Sequence, residues 1–62
     1  MKHRDIVKRI EQDGWYLKRV NGSHHIYKHP TKTGIVVVAY HGTKDVPEGT
    51  VKSILRQAGL ES

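Results

Sequence analysis

The chain has 62 residues, which is enough for one domain near the lower size limit for folding without disulfides or metals. It contains no cysteine, which excludes disulfides and thiolate metal ligands and is compatible with the reducing cytoplasm, where we expect the protein to reside. Eleven Lys and Arg against six Asp and Glu give a formal net charge of +5, which favours a polyanionic partner such as nucleic acid over a merely well-solvated basic domain.

A short amphipathic helix is predicted over residues 4–13. Its apolar side chains recur on one face at helical spacing: Ile6, Val7 and Ile10. Asp5 lies in the first turn, where the helix dipole favours a negative charge. Gly14 is placed to end the helix in a left-handed conformation.

A first strand is predicted over residues 15–20, and its alternation places Trp15 and Leu17 on the face expected to meet the core. Asn21-Gly22 follows directly and predicts a two-residue hairpin turn of type I′, in which both central residues need positive φ. A second strand is therefore predicted to run back antiparallel over residues 23–29. Its side chains divide between two faces: His24, Ile26 and Lys28 on one, and His25, Tyr27 and His29 on the other.

A third strand is predicted over residues 35–40, after a turn that begins at Pro30. A tight turn pairs residues whose numbers sum to about 63, which places His24 opposite Ala39 and brings His41 near it across the sheet. This run of six apolar residues is too short to span a membrane, so we expect no membrane association.

The last element is predicted to be a helix. Asp45 and Glu48 have capping-box spacing, which predicts a start near Val46, and Gly49-Thr50 is an alternative start. The helix body shows an apolar stripe at Val51, Ile54, Leu55 and Ala58. Gly59 should cap its end, with Leu60 in the hydrophobic contact of a Schellman motif. The predicted fold class is α+β, a single domain over residues 1–62 with two helices on one face of a three-stranded antiparallel sheet.

His24 is the main candidate for chemistry. Histidine has an unperturbed pKa of about 6.5, so it can both take and give a proton near neutral pH. Beside a glycine turn and among cations, it could take the proton of an RNA 2′-hydroxyl or protonate the leaving oxygen. The most common alternative is a solvated histidine at the end of a strand.

Other polar side chains are candidates for binding RNA phosphates. The predicted phosphate-binding residues are Gly22, Ser23, Lys18, Arg19, Lys28, Lys32 and His41, with Lys44 as a further cation. Tyr16 and Tyr40 could stack on bases, whereas Tyr27 is expected in the core. Among the other histidines, His25 is expected to be structural, His29 to assist or to be solvated, and His3 to lie on the surface. No Cys or HExxH pair is present, so no metal and no other cofactor is expected.

These residues together resemble the HicA toxins of bacterial HicA–HicB toxin–antitoxin systems, also described as YcfA-like proteins. The resemblance is carried by four ordered parts: Asp13-Gly14-Trp15, Gly22-Ser23-His24 with Tyr27 and His29-Pro30, the apolar third strand with His41, and residues 49–59. It implies a double-stranded-RNA-binding-domain-like fold and a metal-independent ribonuclease that cleaves mRNA. It also implies that His24 is catalytic and that a HicB-type antitoxin is the partner.

Two alternatives stay open from the residues themselves. The first is a non-catalytic double-stranded RNA-binding module, although such modules usually carry a lysine cluster at the start of the last helix, where this chain has two acids. The second is a small partner-binding protein with no role in RNA. Cleavage of RNA in EDTA separates the nuclease from the first alternative, and a steep salt dependence of RNA binding argues against the second.

Overall fold

The computed structural model describes residues 1–40 and 42–60. The elements follow in the order α1 (His3–Gln12), β1 (Tyr16–Asn21), β2 (His24–Lys28), β3 (Val36–Ala39) and α2 (Glu48–Gln57). The strands form one antiparallel sheet in the order β1-β2-β3. This α-β-β-β-α arrangement confirms the predicted α+β fold. Neither helix is long and apolar enough to cross a membrane, as far as the described residues go.

The core lies between one face of the sheet and the two helices. Its buried side chains are Ile6, Ile10, Trp15, Tyr27, Val36, Val38, Val46, Ile54 and Ala58. Val7, Val51 and Leu60 pack against this cluster. Because side chains alternate along a strand, burying Tyr27 of β2 on the helix side turns His24 and Ile26 to the opposite, open face.

The predicted register between β2 and β3 is confirmed. His24 pairs with Ala39, and Tyr27 pairs with Val36. The side chains of His24, Ile26 and Lys28 therefore share the open face, as the alternation predicts. An error of one residue would have moved each of them into the core.

The prediction that Leu17 lies in the core is wrong, since its side chain is 46% exposed. The pairing of β1 shifts between Leu17 and Arg19, which leaves Lys18 in a bulge. Leu17 pairs with Tyr27 and so lies on the helix side. However, β1 is an edge strand, all six of its residues are exposed, and the helices bury side chains of β2 and β3 instead. Trp15, which precedes β1, is buried as predicted.

The first hairpin turn also differs from the prediction. Asn21 still pairs with His24, so the two-residue loop is Gly22-Ser23 and not Asn21-Gly22. Gly22 has φ +61°, whereas no residue other than glycine in the described part of the chain has positive φ. A type II′ turn needs positive φ only at its first central residue, which fits this loop better than type I′.

Helix α1 begins at His3, one residue before the predicted start. The backbone N–H of Lys2 donates to the carboxylate of Asp5 at 3.1 Å, which satisfies one of the free donors at the helix N-terminus. At the other end, Gly14 has φ +109°, so the predicted left-handed termination is confirmed.

Helix α2 begins at Glu48 with Pro47 at the N-cap and without a side-chain cap. This start lies between the two predicted ones, two residues after Val46 and one before Gly49. Asp45 makes no capping box because it forms a β-bridge and a 3.2 Å ion pair with Lys2, 43 positions away in the sequence.

The end of α2 matches the predicted Schellman motif. Gly59 has φ +74°, and its N–H donates to the carbonyl of Arg56 at 3.1 Å. The N–H of Leu60 donates to the carbonyl of Leu55 at 2.8 Å, and the Leu60 side chain packs on the core.

Candidate active site

His24 is the first residue of β2, and its side chain is exposed on the open face of the sheet. It lies in a cross-strand row between Asn21 of β1 and Ala39 of β3. Both neighbours are short side chains, so neither covers the imidazole. A ligand that lies on the open face can therefore reach this ring directly.

The turn beside His24 leaves space for a ligand at Gly22 and is held in place by a hydrogen bond at Ser23. A Cβ atom built on Gly22 would meet no other atom within 4 Å, so a ligand can approach this backbone closely. The carbonyl of Ser23 accepts a 2.8 Å hydrogen bond from the N–H of Tyr40. This bond ties the turn to the end of β3 and holds the position from which His24 projects.

Three of the predicted phosphate-binding cations are exposed on β1 and β2. Arg19 pairs with Ile26, which lies two residues from His24 along β2, so Arg19 and His24 share the open face as diagonal neighbours. Lys28 lies on the same face at the other end of β2, opposite Tyr16. Lys18 occupies the bulge of β1. The open face thus carries positive charge along its length and the imidazole at one end.

Lys32 lies elsewhere and has other partners. Its ammonium forms an ion pair with the carboxylate of Asp13 and donates to the carbonyl of Ala58 at 3.0 Å. The hydrogen bond from Lys32 lowers the pKa of Asp13 below its usual value of 3.8. Lys44 is exposed in the connection before α2, and His41 lies outside the described residues.

His29 is a structural anchor and is neither solvated nor near His24. One ring nitrogen, Nδ1, accepts the backbone N–H groups of Thr31 and Lys32, each at 3.1 Å. The other nitrogen, Nε2, lies 2.6 Å from the carbonyl oxygen of Asp13, so it carries the proton and donates. The ring also meets Trp15 edge-on at 5.2 Å between centroids. Through these contacts with Asp13 and Trp15, His29 holds the end of α1 against the end of β2.

A cluster of three aromatic rings supports the other end of β2. His3 is only 8% exposed, so the prediction of a surface position is wrong. Its ring meets those of His25 and Tyr40 edge-on, with centroids 5.1 and 4.9 Å apart, and the His25 and Tyr40 rings stack at 5.7 Å. His25 is therefore structural, as predicted. The signal for His3 was present, because it continues the Ile6 and Ile10 stripe at i−3 and i−7.

The fold and this surface define a small α+β domain of the double-stranded-RNA-binding-domain-like class, in which the exposed His24 lies at the end of a basic sheet face. Across residues 1–40 and 42–60, no three His, Cys, Asp or Glu side chains are grouped so as to hold a metal ion. A family model described as the HicA toxin of bacterial toxin–antitoxin systems matches residues 3–60. The chain therefore belongs to the HicA toxin family. A comparison with curated proteins gives no match.

Proposed function

We propose that this chain is a metal-independent endoribonuclease that cleaves mRNA, and that His24 performs a proton transfer in the reaction. The observation that supports this proposal is the exposed imidazole beside an open glycine turn on a basic sheet face. Membership in a toxin family supports an activity that harms the cell, and the proposed cleavage of mRNA is an activity of this kind.

The proposed reaction uses the RNA 2′-hydroxyl as its nucleophile. The 2′-oxygen attacks the adjacent phosphorus while the bond from phosphorus to the 5′-oxygen breaks, which gives a 2′,3′-cyclic phosphate and a 5′-hydroxyl. One proton leaves the 2′-oxygen and one reaches the 5′-oxygen. His24 performs one of these transfers and water performs the other, and one such group accelerates a reaction by about 10²–10⁴-fold.

The neighbouring groups suit the charge of this reaction. Arg19 lies one row from His24 on the same face, where its guanidinium can contact a non-bridging phosphate oxygen. The backbone N–H of Gly22 belongs to the turn next to His24, and a ligand can approach this residue closely because a Cβ built on it would meet no atom within 4 Å. Such donors stabilise the negative charge that develops on phosphate oxygens in the transition state.

The test compares the parent chain with His24→Ala on a short single-stranded RNA in EDTA. We expect the substitution to lower kcat by about 10²–10⁴-fold with little change in thermal stability, because the side chain is exposed. A matched RNA with one 2′-deoxy sugar at the cleaved position should resist the parent enzyme. Added imidazole should partly restore cleavage by His24→Gly.

Equal cleavage by the parent and His24→Ala would overturn the assignment of His24. Tight binding of RNA by the parent without any cleavage would instead support the non-catalytic RNA-binding module.

We also propose that a HicB-type antitoxin neutralises the chain by covering the open face. The family is one of toxin–antitoxin systems, and the exposed cations of this face offer attachment points for an acidic partner. In the complex, His24 should be protected from imidazole-modifying reagents such as diethyl pyrocarbonate. A complex in which His24 still reacts, or still accepts RNA, would contradict this proposal.

A further inference from the structure

We propose that the chain has a separate nucleotide-binding subsite between the start of α1 and the end of β3, built around Tyr40 and Arg4. It would take the nucleotide that adjoins the cleaved phosphate, through base stacking and one phosphate contact. The part of this inference that concerns cleavage rests on the proposed ribonuclease function.

The subsite is an open cavity of about 390 Å³. Its lining residues are Lys2, His3, Arg4, Tyr40, Gly42 and Thr43. The lining combines the aromatic residues Tyr40 and His3, two long cationic side chains and two small residues. Sites for single-stranded nucleic acid combine aromatic side chains, on which bases stack, with positive charge for the backbone, and both features are present here.

Tyr40 has the properties of a stacking platform. The ring is 55% exposed, although it belongs to the aromatic cluster at the end of β2. His25 stacks on the Tyr40 ring nearly in parallel, with 6° between the planes, and His3 meets it edge-on. Because these contacts already hold the ring, a base that stacks on its exposed surface does not have to immobilise it.

Arg4 is the better of the two cations for a phosphate. The ammonium of Lys2 donates to the carbonyl of Thr43 at 2.7 Å and pairs with Asp45 at 3.2 Å. Arg4 is exposed and has no ion pair among the residues that the structure describes. A guanidinium can also bind two oxygens of one phosphate at once.

The subsite and His24 lie at the same end of the sheet. Ala39 is the cross-strand partner of His24, and Tyr40 is the next residue, bonded through its N–H to the carbonyl of Ser23. One residue along a strand advances about 3.3 Å. An RNA strand can therefore pass from His24 on the open face around the end of β3 into the cavity.

The first test does not depend on cleavage. Adenosine 5′-monophosphate is added to isotope-labelled His24→Ala protein and followed by NMR, with inorganic phosphate as the control ligand. We expect saturable shifts at Arg4, Tyr40 and Thr43 with the nucleotide and much smaller ones with phosphate. Equal shifts with both ligands, or shifts confined to other surfaces, would overturn the subsite.

The second test measures binding of a short single-stranded RNA to the same His24→Ala background. Tyr40→Ala should weaken binding by about 5- to 100-fold, whereas Tyr40→Phe should keep it, since the ring is what stacks. A series of RNAs carries one abasic nucleotide each, at successive positions. Only the RNA that lacks the base stacked on Tyr40 should bind equally well with and without Tyr40→Ala. Arg4→Gln should weaken binding several-fold more than Arg9→Gln, an exposed arginine of the same helix that does not line the cavity.

The outcomes separate this inference from the proposed function. If the parent cleaves RNA but adding Arg4→Gln or Tyr40→Ala to His24→Ala leaves RNA binding unchanged, the subsite is wrong and the nuclease stands. If the nucleotide binds at Tyr40 but no RNA is cleaved, the nuclease proposal fails and the nucleotide site stands. Should Tyr40→Ala not fold, the comparison of Arg4→Gln with Arg9→Gln decides.

Discussion

Gly14 occupies a position where two independent constraints exclude a side chain. Its φ is +109°, and a Cβ atom there would lie 2.8 Å from Nε2 of His29, the nitrogen that donates to Asp13. We predict that Gly14→Ala lowers the free energy of unfolding by about 2 kcal/mol or more, from backbone strain and the displaced ring. Urea unfolding followed by Trp15 fluorescence measures this change.

Gly49→Ala is the matched control. Gly49 lies within α2, has ordinary φ, and an added Cβ would meet no atom within 4 Å. Alanine should therefore raise the free energy of unfolding by about 0.5–1 kcal/mol through the lower entropy of the unfolded chain. A loss of stability in both variants would contradict this account of Gly14.

The Asp13–Lys32 pair makes the free energy of unfolding depend on pH in the acidic range. The hydrogen bond from Lys32 lowers the pKa of Asp13 below 3.8, so the folded state binds fewer protons than the unfolded state in acid. The stability from this pair is complete above the ordinary pKa and is lost as pH falls through the lowered value. We predict that the urea midpoint falls below about pH 4 and that Asp13→Asn and Lys32→Met each reduce this fall. An unchanged pH profile in both variants would show that the pair does not contribute.

The elements differ sharply in how much each apolar side chain stabilises the fold. Ile10 of α1 is fully buried, whereas Leu17 of β1 is 46% exposed at the sheet edge. We predict that Ile10→Ala costs about 2–5 kcal/mol and that Leu17→Ala costs less than about 1 kcal/mol, since little of its surface leaves water on folding. Chemical unfolding of both variants checks this difference, and similar losses would place Leu17 in the core after all.

The elements that could be predicted from the sequence are those fixed by local rules. Gly14 and Gly59 end the helices because each takes a conformation that other residues avoid. The register of β2 with β3 followed from the turn and the alternation. The bulge at Lys18 could not be predicted, because no glycine or proline marks it and it depends on how β1 meets its neighbour. The pairing of Asp45 with Lys2 joins distant parts of the chain and overrides the capping signal of Asp45.

In the candidate site, too, local features could be predicted from the sequence and distant contacts could not. Alternation along β2 was enough to predict that His24 and Lys28 share a face, and the structure agrees. Lys32 was predicted to bind phosphate by charge alone, but its ammonium contacts Asp13, which is 19 residues away in the sequence. For His3, helical spacing was enough to indicate burial, but its ring partners His25 and Tyr40 lie far away in the sequence. Charge and residue type indicate what a side chain can do, whereas its partners depend on the tertiary fold.

At the scale of the whole molecule, a net charge of +5 should dominate the proposed binding of RNA. The logarithm of RNA affinity should fall linearly with the logarithm of salt concentration, with a slope of about −0.7 for each phosphate neutralised on a single strand. We predict that Arg19→Gln reduces the size of this slope by about 0.7, whereas Arg9→Gln on α1 leaves it unchanged. Fluorescence titrations with RNA at several salt concentrations provide the measurement, and equal slopes in both variants would remove Arg19 from the interface.

The exposed edge of β1 has a consequence for handling the protein. All six residues of this edge strand are exposed, and in the described part of the chain no element pairs with its outer side. Such an edge is a template on which a second copy can add as a further strand. Lys18 in the bulge and Arg19 beside it are the kind of residues that oppose such edge-to-edge pairing. Substituting both charges at once would therefore favour aggregation, whereas a substitution at His24 leaves the edge protected.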